Sequence, residues 1–313
     1  MTAWTTADIP SQQGRLAVVT GATGGLGYET ALALAAAGAE VILTGRNAAK
    51  GDAALAKIRT AHPTAAVRYE HLDLASLDAV ADFVERFSQA HDTLDLLVNN
   101  AGVMSLPARA VTKDGFEMQM GTNYLGHFAL TSCLLSRLRK SPRARVVNLS
   151  SLAHRPGKIY FDDMQWERSY SPWRAYTQSK LAMLMFAFEL QKRSDAHGWG
   201  LMSNAAHPGY ARTDLIANGP GNRGWQQTLG ALMQPMMSHS AAAGSLPTLF
   251  AATAPQAKPA GYYGPDGFYE LKGPVKEAFV ARQARDQVVA ARLWEASEQL
   301  TDVTWPSARG EAR

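Results

Sequence analysis

A tyrosine and a lysine stand four positions apart in the run Tyr176-Thr177-Gln178-Ser179-Lys180, a spacing that puts both side chains on one face of a helix. A free phenol ionises near pH about 10, too high for ready proton exchange at neutral pH, and a neighbouring ammonium favours the phenolate. The pair is thus an acid/base device in which Lys180 is expected to lower the pKa of Tyr176. Near the N-terminus, Thr20-Gly21-Ala22-Thr23-Gly24-Gly25-Leu26-Gly27 separates the apolar run Leu16-Ala17-Val18-Val19 from an alanine-rich stretch between Thr30 and Ala37. A glycine-rich turn between strand and helix sets a phosphate against backbone N–H groups. Together the two features predict an enzyme that moves a hydride and a proton with a dinucleotide.

Apolar runs alternating with helical patterns must position these groups, and that alternation predicts a doubly wound parallel sheet with helices on both faces. Strands are expected at Leu16 to Thr20, Val41 to Thr44, Val67 to His71, Leu94 to Val98, Arg145 to Leu149 and Leu201 to Ala205, with a short one near Tyr262 and Tyr263. Helices are expected at Leu26 to Ala37, Ala48 to Thr60, Leu77 to Ala90, Phe116 to Leu138, Trp173 to Ser194 and about Val275 to Leu300, the last docking through Val280, Val288, Leu293 and Trp294. Two irregular stretches, 154–172 and 213–237, follow strands and are candidate walls of a substrate site, because ligands of open α/β sheets bind beyond the strand C-termini.

The 313 residues, 46% of them hydrophobic, suffice for one large α/β domain over 14–313 after a short tail, 1–13. A single cysteine, Cys133, excludes an intrachain disulfide and fits a reducing, cytoplasmic setting; it reads as a small buried hydrophobe. No window approaches the roughly 18 consecutive apolar residues of a membrane span, so no membrane anchor is expected. The net charge of +4 is mild, and the basic run Arg137, Arg139, Lys140, Arg143 and Arg145 falls at a helix end, where it complements the helix dipole; nucleic-acid binding is not expected. The eight histidines form no compact ligand spacing, so no metal site is expected.

The spacing T-G-x-x-x-G-x-G of Gly21, Gly25 and Gly27 suits tight turning and close approach to a pyrophosphate. After the second strand, Gly45 stands where an acidic residue would bind a ribose 2′-hydroxyl, and Arg46 follows. A guanidinium suits a 2′-phosphate, favouring NADP(H) over NAD(H), with NAD possible because the glycine turn has no basic residue at Gly24. The alternative is that Arg46 caps a surface loop.

With these residues in view, the chain resembles the short-chain dehydrogenase/reductase family, and within it the retinol-dehydrogenase-like group. Besides the glycine turn, the resemblance is carried by Asp73-Leu74, Asn99-Asn100-Ala101-Gly102, Thr122-Asn123-Tyr124-Leu125-Gly126-His127-Phe128, Val146 to Ser151, the Tyr176/Lys180 pair and His207-Pro208-Gly209. It implies a three-layer Rossmann-type fold. It also implies a cofactor site made of Gly21, Thr23, Gly25, Leu26, Gly27, Arg46, Asp73, Leu74, Asn100, Ala101, Gly102, Tyr176, Lys180, Pro208, Gly209 and Thr213. In it Asp73 and Leu74 meet adenine, Asn100 the adenosine ribose, and Pro208-Gly209 with Thr213 the nicotinamide end. The implied catalytic group is Asn123, Ser151, Tyr176 and Lys180, with Ser151 holding the substrate oxygen and Asn123 ordering a water that connects Lys180 to solvent. Ser151 and Tyr176 are 25 residues apart, a separation wider than in compact members and shared with the retinol-dehydrogenase-like group.

Met104, Leu106, Leu152, Tyr210, Leu215, Ile216, Trp225, Met233, Met236 and Met237, with Trp166 and Trp173, suggest an apolar pocket for a bulky hydrophobic ketone, aldehyde or alcohol. His154, three residues past Ser151, reads either as a structural or substrate-contact residue or as a proton relay. The apolar row Leu181, Leu184, Met185 and Phe188 favours a homodimer, with a monomer as the alternative. Two other functions share the pattern: a non-catalytic NADP sensor, and a reductase of a conjugated carbon–carbon double bond.

Overall fold

Short runs rich in β-branched residues, buried on both faces, form the centre of the molecule, as expected of parallel strands covered on both sides. The computed structural model describes residues 3–210 and 239–306. Its strands are β1 (Leu16–Val19), β2 (Glu40–Gly45), β3 (Val67–His71), β4 (Leu96–Asn99), β5 (Arg145–Leu149), β6 (Met202–Ala206), β7 (Tyr262–Pro265) and β8 (Val275–Glu277). They form one sheet in the order β3-β2-β1-β4-β5-β6-β7-β8, parallel throughout except for the antiparallel β7–β8 pair. β1 pairs with β2 on one side and β4 on the other, so the chain reverses its winding there and leaves a crevice at the strand C-termini.

Alternate strand residues feed two separate cores. Ala17, Val19, Val41, Leu43, Leu96 and Val98 pack toward α1 (Gly25–Ala36), α2 (Ala48–Ala61) and a later helix, Ala241–Thr253. Val18, Ile42, Leu97 and Val146 pack the other way, against α3 (Leu77–Ala90) and two long helices. The first of these follows a single turn, α4 (Met118–Met120), and a π-helical segment, Gly121–Leu125, before continuing as α5 (Gly126–Leu138); the second is α6 (Pro172–His197). Proline at the first turn and left-handed Gly198 (φ 63°) bound α6, placements that suit the fixed φ of one and the freedom of the other. The result is the expected three-layer, doubly wound sheet.

Several expectations need correction. The stretch from Val275 is not helical: Val275–Glu277 pairs with Tyr263 to Pro265 as an edge strand. The last helix, α8 (Gln287–Thr301), starts only where Asp286 caps it through the N–H groups of Val288 and Val289. Leu293 and Trp294 dock as expected, but Val288 is 80% exposed. The helix α7 (Ala241–Thr253) was not anticipated, its pattern being obscured by Pro247 and by a nearly uniform apolar surface. Leu181, Leu184 and Met185 do not face outward for a partner, because they lie in the protomer's own core. There Phe186 also meets Trp294 of α8 and Trp305, at ring separations of 5.8 and 6.1 Å. Cys133 is exposed on α5, contrary to its expected burial. Among the described residues, no helix is long and apolar enough to cross a membrane, and no cluster of potential metal ligands occurs.

Candidate active site

The C-terminal ends of β1, β2, β4, β5 and β6 open into a cavity of about 610 Å³. At one end lies the glycine turn. Gly21 (φ 64°) and Gly25 (φ 55°) hold left-handed conformations that favour glycine. A Cβ on Gly27 would come within 2.4 Å of Asn100 Nδ2 and 2.5 Å of Gly21 O, so that position admits no side chain. Thr20 ties the turn to the loop after β4: its hydroxyl accepts from the Asn100 and Ala101 N–H groups, both at 2.9 Å, while Asn100 Nδ2 donates to Thr20 O at 2.7 Å. The first N–H groups of α1 receive no side-chain cap, whereas α2, α3 and α7 are capped by Asn47, Ser76 and Ser240. Donors left free at a helix N-terminus and facing a cavity are the chemistry a pyrophosphate requires.

Gly45 packs against Thr23 so closely that a Cβ there would lie 2.9 Å from Thr23 Cγ2. A side chain at this position would therefore have to displace the Thr23 methyl. Arg46 and Lys50, both exposed, border the cavity beside it. Lys50 is not among the residues expected from the sequence, although a lysine in the first turn of the helix that follows Arg46 is a usable signal. Asp73, Leu74, Asn100, Ala101 and Gly102 line the same wall; Pro208 and Gly209 line the far end. Thr213 lies outside the described residues, as do Leu215, Ile216, Trp225, Met233, Met236, Met237 and the 213–237 stretch.

Ser151, Tyr176 and Lys180 converge on the cavity from β5 and α6. The two elements are bolted together by Ser150 Oγ donating to Lys180 O at 2.8 Å and Lys180 Nζ donating to Leu149 O at 3.0 Å. Burial dominates the electrostatics. It pushes the Tyr176 phenol up to about 12, with the Ser151 hydroxyl pulling the other way, and pushes Lys180 down to about 8. The expectation that Lys180 lowers Tyr176 is thus not met by the protein alone: the ammonium lies 5.9 Å from the ring centre, and the loss of water around the phenol outweighs it.

Asn123 sits behind this wall, fully buried in the π-helical segment. Its Oδ1 accepts from Val103 N at 2.7 Å, and its Nδ2 donates to Val103 O at 3.0 Å and Ser179 Oγ at 2.9 Å. Its side chain therefore braces the loop that carries Asn100, Ala101 and Gly102 against α6. Its carbonyl accepts from His127 Nδ1 at 2.9 Å, while His127 Nε2 meets the Thr20 hydroxyl at 2.8 Å. Burial holds this imidazole down at about 4, so it stays neutral and joins the glycine turn to the Asn123 segment.

Of the residues expected to form an apolar pocket, Met104, Leu152, Trp173 and Tyr210 line the cavity, whereas Leu106 and Trp166 do not. No residue of 154–172 is among the described residues that border the cavity, although Ala153 and Trp173 on either side of the stretch are. Its chain is held to the side of α6, where Gln178 accepts from Tyr160 N and donates to Met164 O, both at 2.9 Å. Trp166 is buried, with Arg174 stacked on it and on Tyr160. His154 is structural: Nδ1 donates to Ser151 O at 2.7 Å and Nε2 accepts from Ala281 N at 3.3 Å, fastening the loop before α8 to the serine strand. Burial keeps it neutral, at about 4.

Comparisons agree with this geometry. The profile of "short chain dehydrogenase" matches residues 15–222. Retinol dehydrogenase 13 of Homo sapiens is 41% identical over 299 residues, covering 95% of this chain and 87% of that protein. Polyprenol dehydrogenase of Mus musculus is 39% identical over 298 residues, covering 94% and 85%. A solved structure of an uncharacterized protein from Mycobacterium paratuberculosis superposes with a TM-score of 0.79 at 41% identity, covering 97% of this chain and all of the other.

Proposed function

Because the chain belongs to the short-chain dehydrogenase family, whose members bind NAD(P) and act as oxidoreductases on CH–OH groups, we propose that it interconverts a bulky hydrophobic carbonyl compound and its alcohol with NADP(H). The observation that carries this reading is one cavity bordered by the uncapped N-terminus of α1, the Arg46 and Lys50 cations, and Ser151, Tyr176 and Lys180. The names of the two relatives, which specify long apolar alcohols, and the lining by Met104, Leu152, Trp173 and Tyr210 support an apolar substrate.

Bound there, the cofactor would supply or accept the hydride. Gly21, Gly25 and Gly27 admit its pyrophosphate to the backbone, and Arg46 and Lys50 meet the 2′-phosphate, which a carboxylate at position 45 would repel. Asp73 and Leu74 bound the adenine, Asn100 the ribose, and Pro208-Gly209 the nicotinamide end. Ser151 holds the substrate oxygen against Tyr176, whose phenol donates the proton as negative charge develops, or accepts it in the reverse direction. A phenol at about 12 is a reluctant donor, and its phenolate is scarce at neutral pH, until positive charge gathers around it. Lys180, pinned to Leu149 O, is the fixed part of that charge, and Asn123, its side chain spent on Val103 and Ser179, braces the loop behind the lysine rather than ordering a water.

The test follows the absorbance of NADPH and NADH against apolar aldehydes and ketones, in parallel with Tyr176→Phe. The reading expects oxidation of NADPH faster than NADH, lost in the variant. NADPH binding without turnover on any apolar carbonyl, or in reverse on the alcohols, would return the sensor reading to the front.

A further inference from the structure

Outside the cavity, a buried ionic cluster joins parts of the chain far apart in sequence. His207, with no exposed surface, precedes the Pro208-Gly209 wall. Its Nδ1 accepts from Gly209 N at 3.1 Å, which leaves Nε2 to carry the proton and donate to Glu270 Oε2 at 3.1 Å. The ring has nowhere to turn: a Cβ on Gly264 would overlap it at 2.0 Å, and Tyr262 lies against it at 5.2 Å. Glu270 also receives Arg155 Nη2 at 2.7 Å and Phe279 N at 2.9 Å. Its own backbone is left-handed (φ 60°), as is that of Tyr269 (φ 49°), a conformation that disfavours non-glycine residues and persists where surrounding contacts over-determine it. The same segment touches the wall directly. Tyr210 N donates to Leu271 O at 2.8 Å, and a Cβ on left-handed Gly209 would strike Leu271 O at 2.3 Å.

We infer that Glu270 is a positioning residue for the nicotinamide end of the cofactor site: it fixes His207 in the Nε2–H tautomer, so that Nδ1 holds the Gly209 N–H and the Pro208-Gly209 turn presents one surface to the cavity. The inference rests on the reading of the cavity as an NADP(H) site. Nothing in the cluster reaches Arg46, Lys50 or the glycine turn, so its effect belongs to one end of the cofactor only. A carboxylate is the group that can accept from a guanidinium, an imidazole and a backbone N–H at once.

The experiment compares binding of NADPH with binding of adenosine 2′,5′-bisphosphate, which lacks the nicotinamide end, in wild type, Glu270→Ala, Glu270→Gln, His207→Ala and the His207→Ala/Glu270→Ala double variant, with the melting temperature of each. Glu270→Ala is expected to weaken NADPH about tenfold, the scale of a lost hydrogen bond to a charged group, and to leave the bisphosphate unchanged. Glu270→Gln, which keeps one acceptor oxygen, should fall between, and it carries the test if the alanine variant does not fold. The double variant should bind NADPH no worse than His207→Ala, because the two residues act as one unit. Equal weakening of both ligands, no weakening of either, or additive effects would overturn the assignment. A wild type that binds neither ligand would overturn the cavity's reading and this assignment with it.

Discussion

The two ends of the cavity are built on opposite principles. At the end proposed for adenosine the cations Arg46 and Lys50 are exposed on the first turn of α2 and its approach, with no side chain among the described residues closing over them. At the reacting end Tyr176 and Lys180 are each 5% exposed, with pKa values displaced by burial in opposite senses. Water screens exposed charges and softens what each contributes, whereas a desolvated pair acts at close to full strength. Under the proposed function, the adenosine end would therefore be a place for adjustable preference, and the reacting end a place where one atom decides turnover.

The largest effect should come from Tyr176→Phe, which removes the proton donor and little volume. Turnover should fall by at least about a thousandfold, within the range general acid/base groups supply, while NADPH binding measured by fluorescence titration stays within about twofold of wild type. Lys180→Met should also abolish most turnover, and it should stabilise the fold. The folded pKa of Lys180, about 8, lies below its ordinary value of 10.5. Below pH 8 the lysine is charged in both states, and burying that charge works against folding. Between the two values the unfolded chain holds a proton that the folded chain has lost, so wild-type stability rises with pH and the penalty fades. Denaturant melts should show the variant roughly 1–2 kcal/mol more stable at pH 7, after allowing for the Leu149 carbonyl left without its donor. That advantage should shrink as pH climbs from 8 toward 10.5, and a constant gap would show that charge is not its cause.

At the other end the effects should be smaller and sensitive to salt. Arg46→Ala and Lys50→Ala should each lower kcat/KM for NADPH by about three- to tenfold, leave NADH nearly unchanged, and lose part of that difference at about 1 M salt. Equal losses with both cofactors would mean that these cations serve the fold. Smallest of all, Cys133→Ser should leave activity and melting temperature at wild-type values, because the thiol is exposed on α5 and absent from the cavity lining. An activity loss there would revive the double-bond reductase.

The same contrast governs what could be read in advance. The glycine turn and the Tyr176/Lys180 pair were legible because each lies within one short segment whose spacing fixes its geometry, and the strands from β1 to β6 were legible as apolar runs. Arg46 is legible for the same reason, and Lys50, in the first turn of the helix that follows, is legible only once that helix's start is fixed by Asn47. What escaped notice depends on contacts across the chain. The sign of the Tyr176 shift comes from burial, which spacing does not report. The Glu270–His207 bond joins residues 63 positions apart. The placement of 154–172 away from the cavity depends on Gln178 and Arg174 holding it to the side of α6. Val275–Glu277 reads as part of a helix until Tyr263 is found beside it.

The most direct test of the account follows the hydride itself. NADPH deuterated at C4 of its nicotinamide is incubated with the protein and an apolar aldehyde in ordinary water, and the alcohol formed is weighed by mass spectrometry. The account predicts one deuterium on the carbinol carbon with one of the two C4-labelled epimers of NADPH and none with the other, and product formed at least about a thousandfold more slowly with Tyr176→Phe. Product alcohol without deuterium from either epimer would contradict hydride transfer at this site.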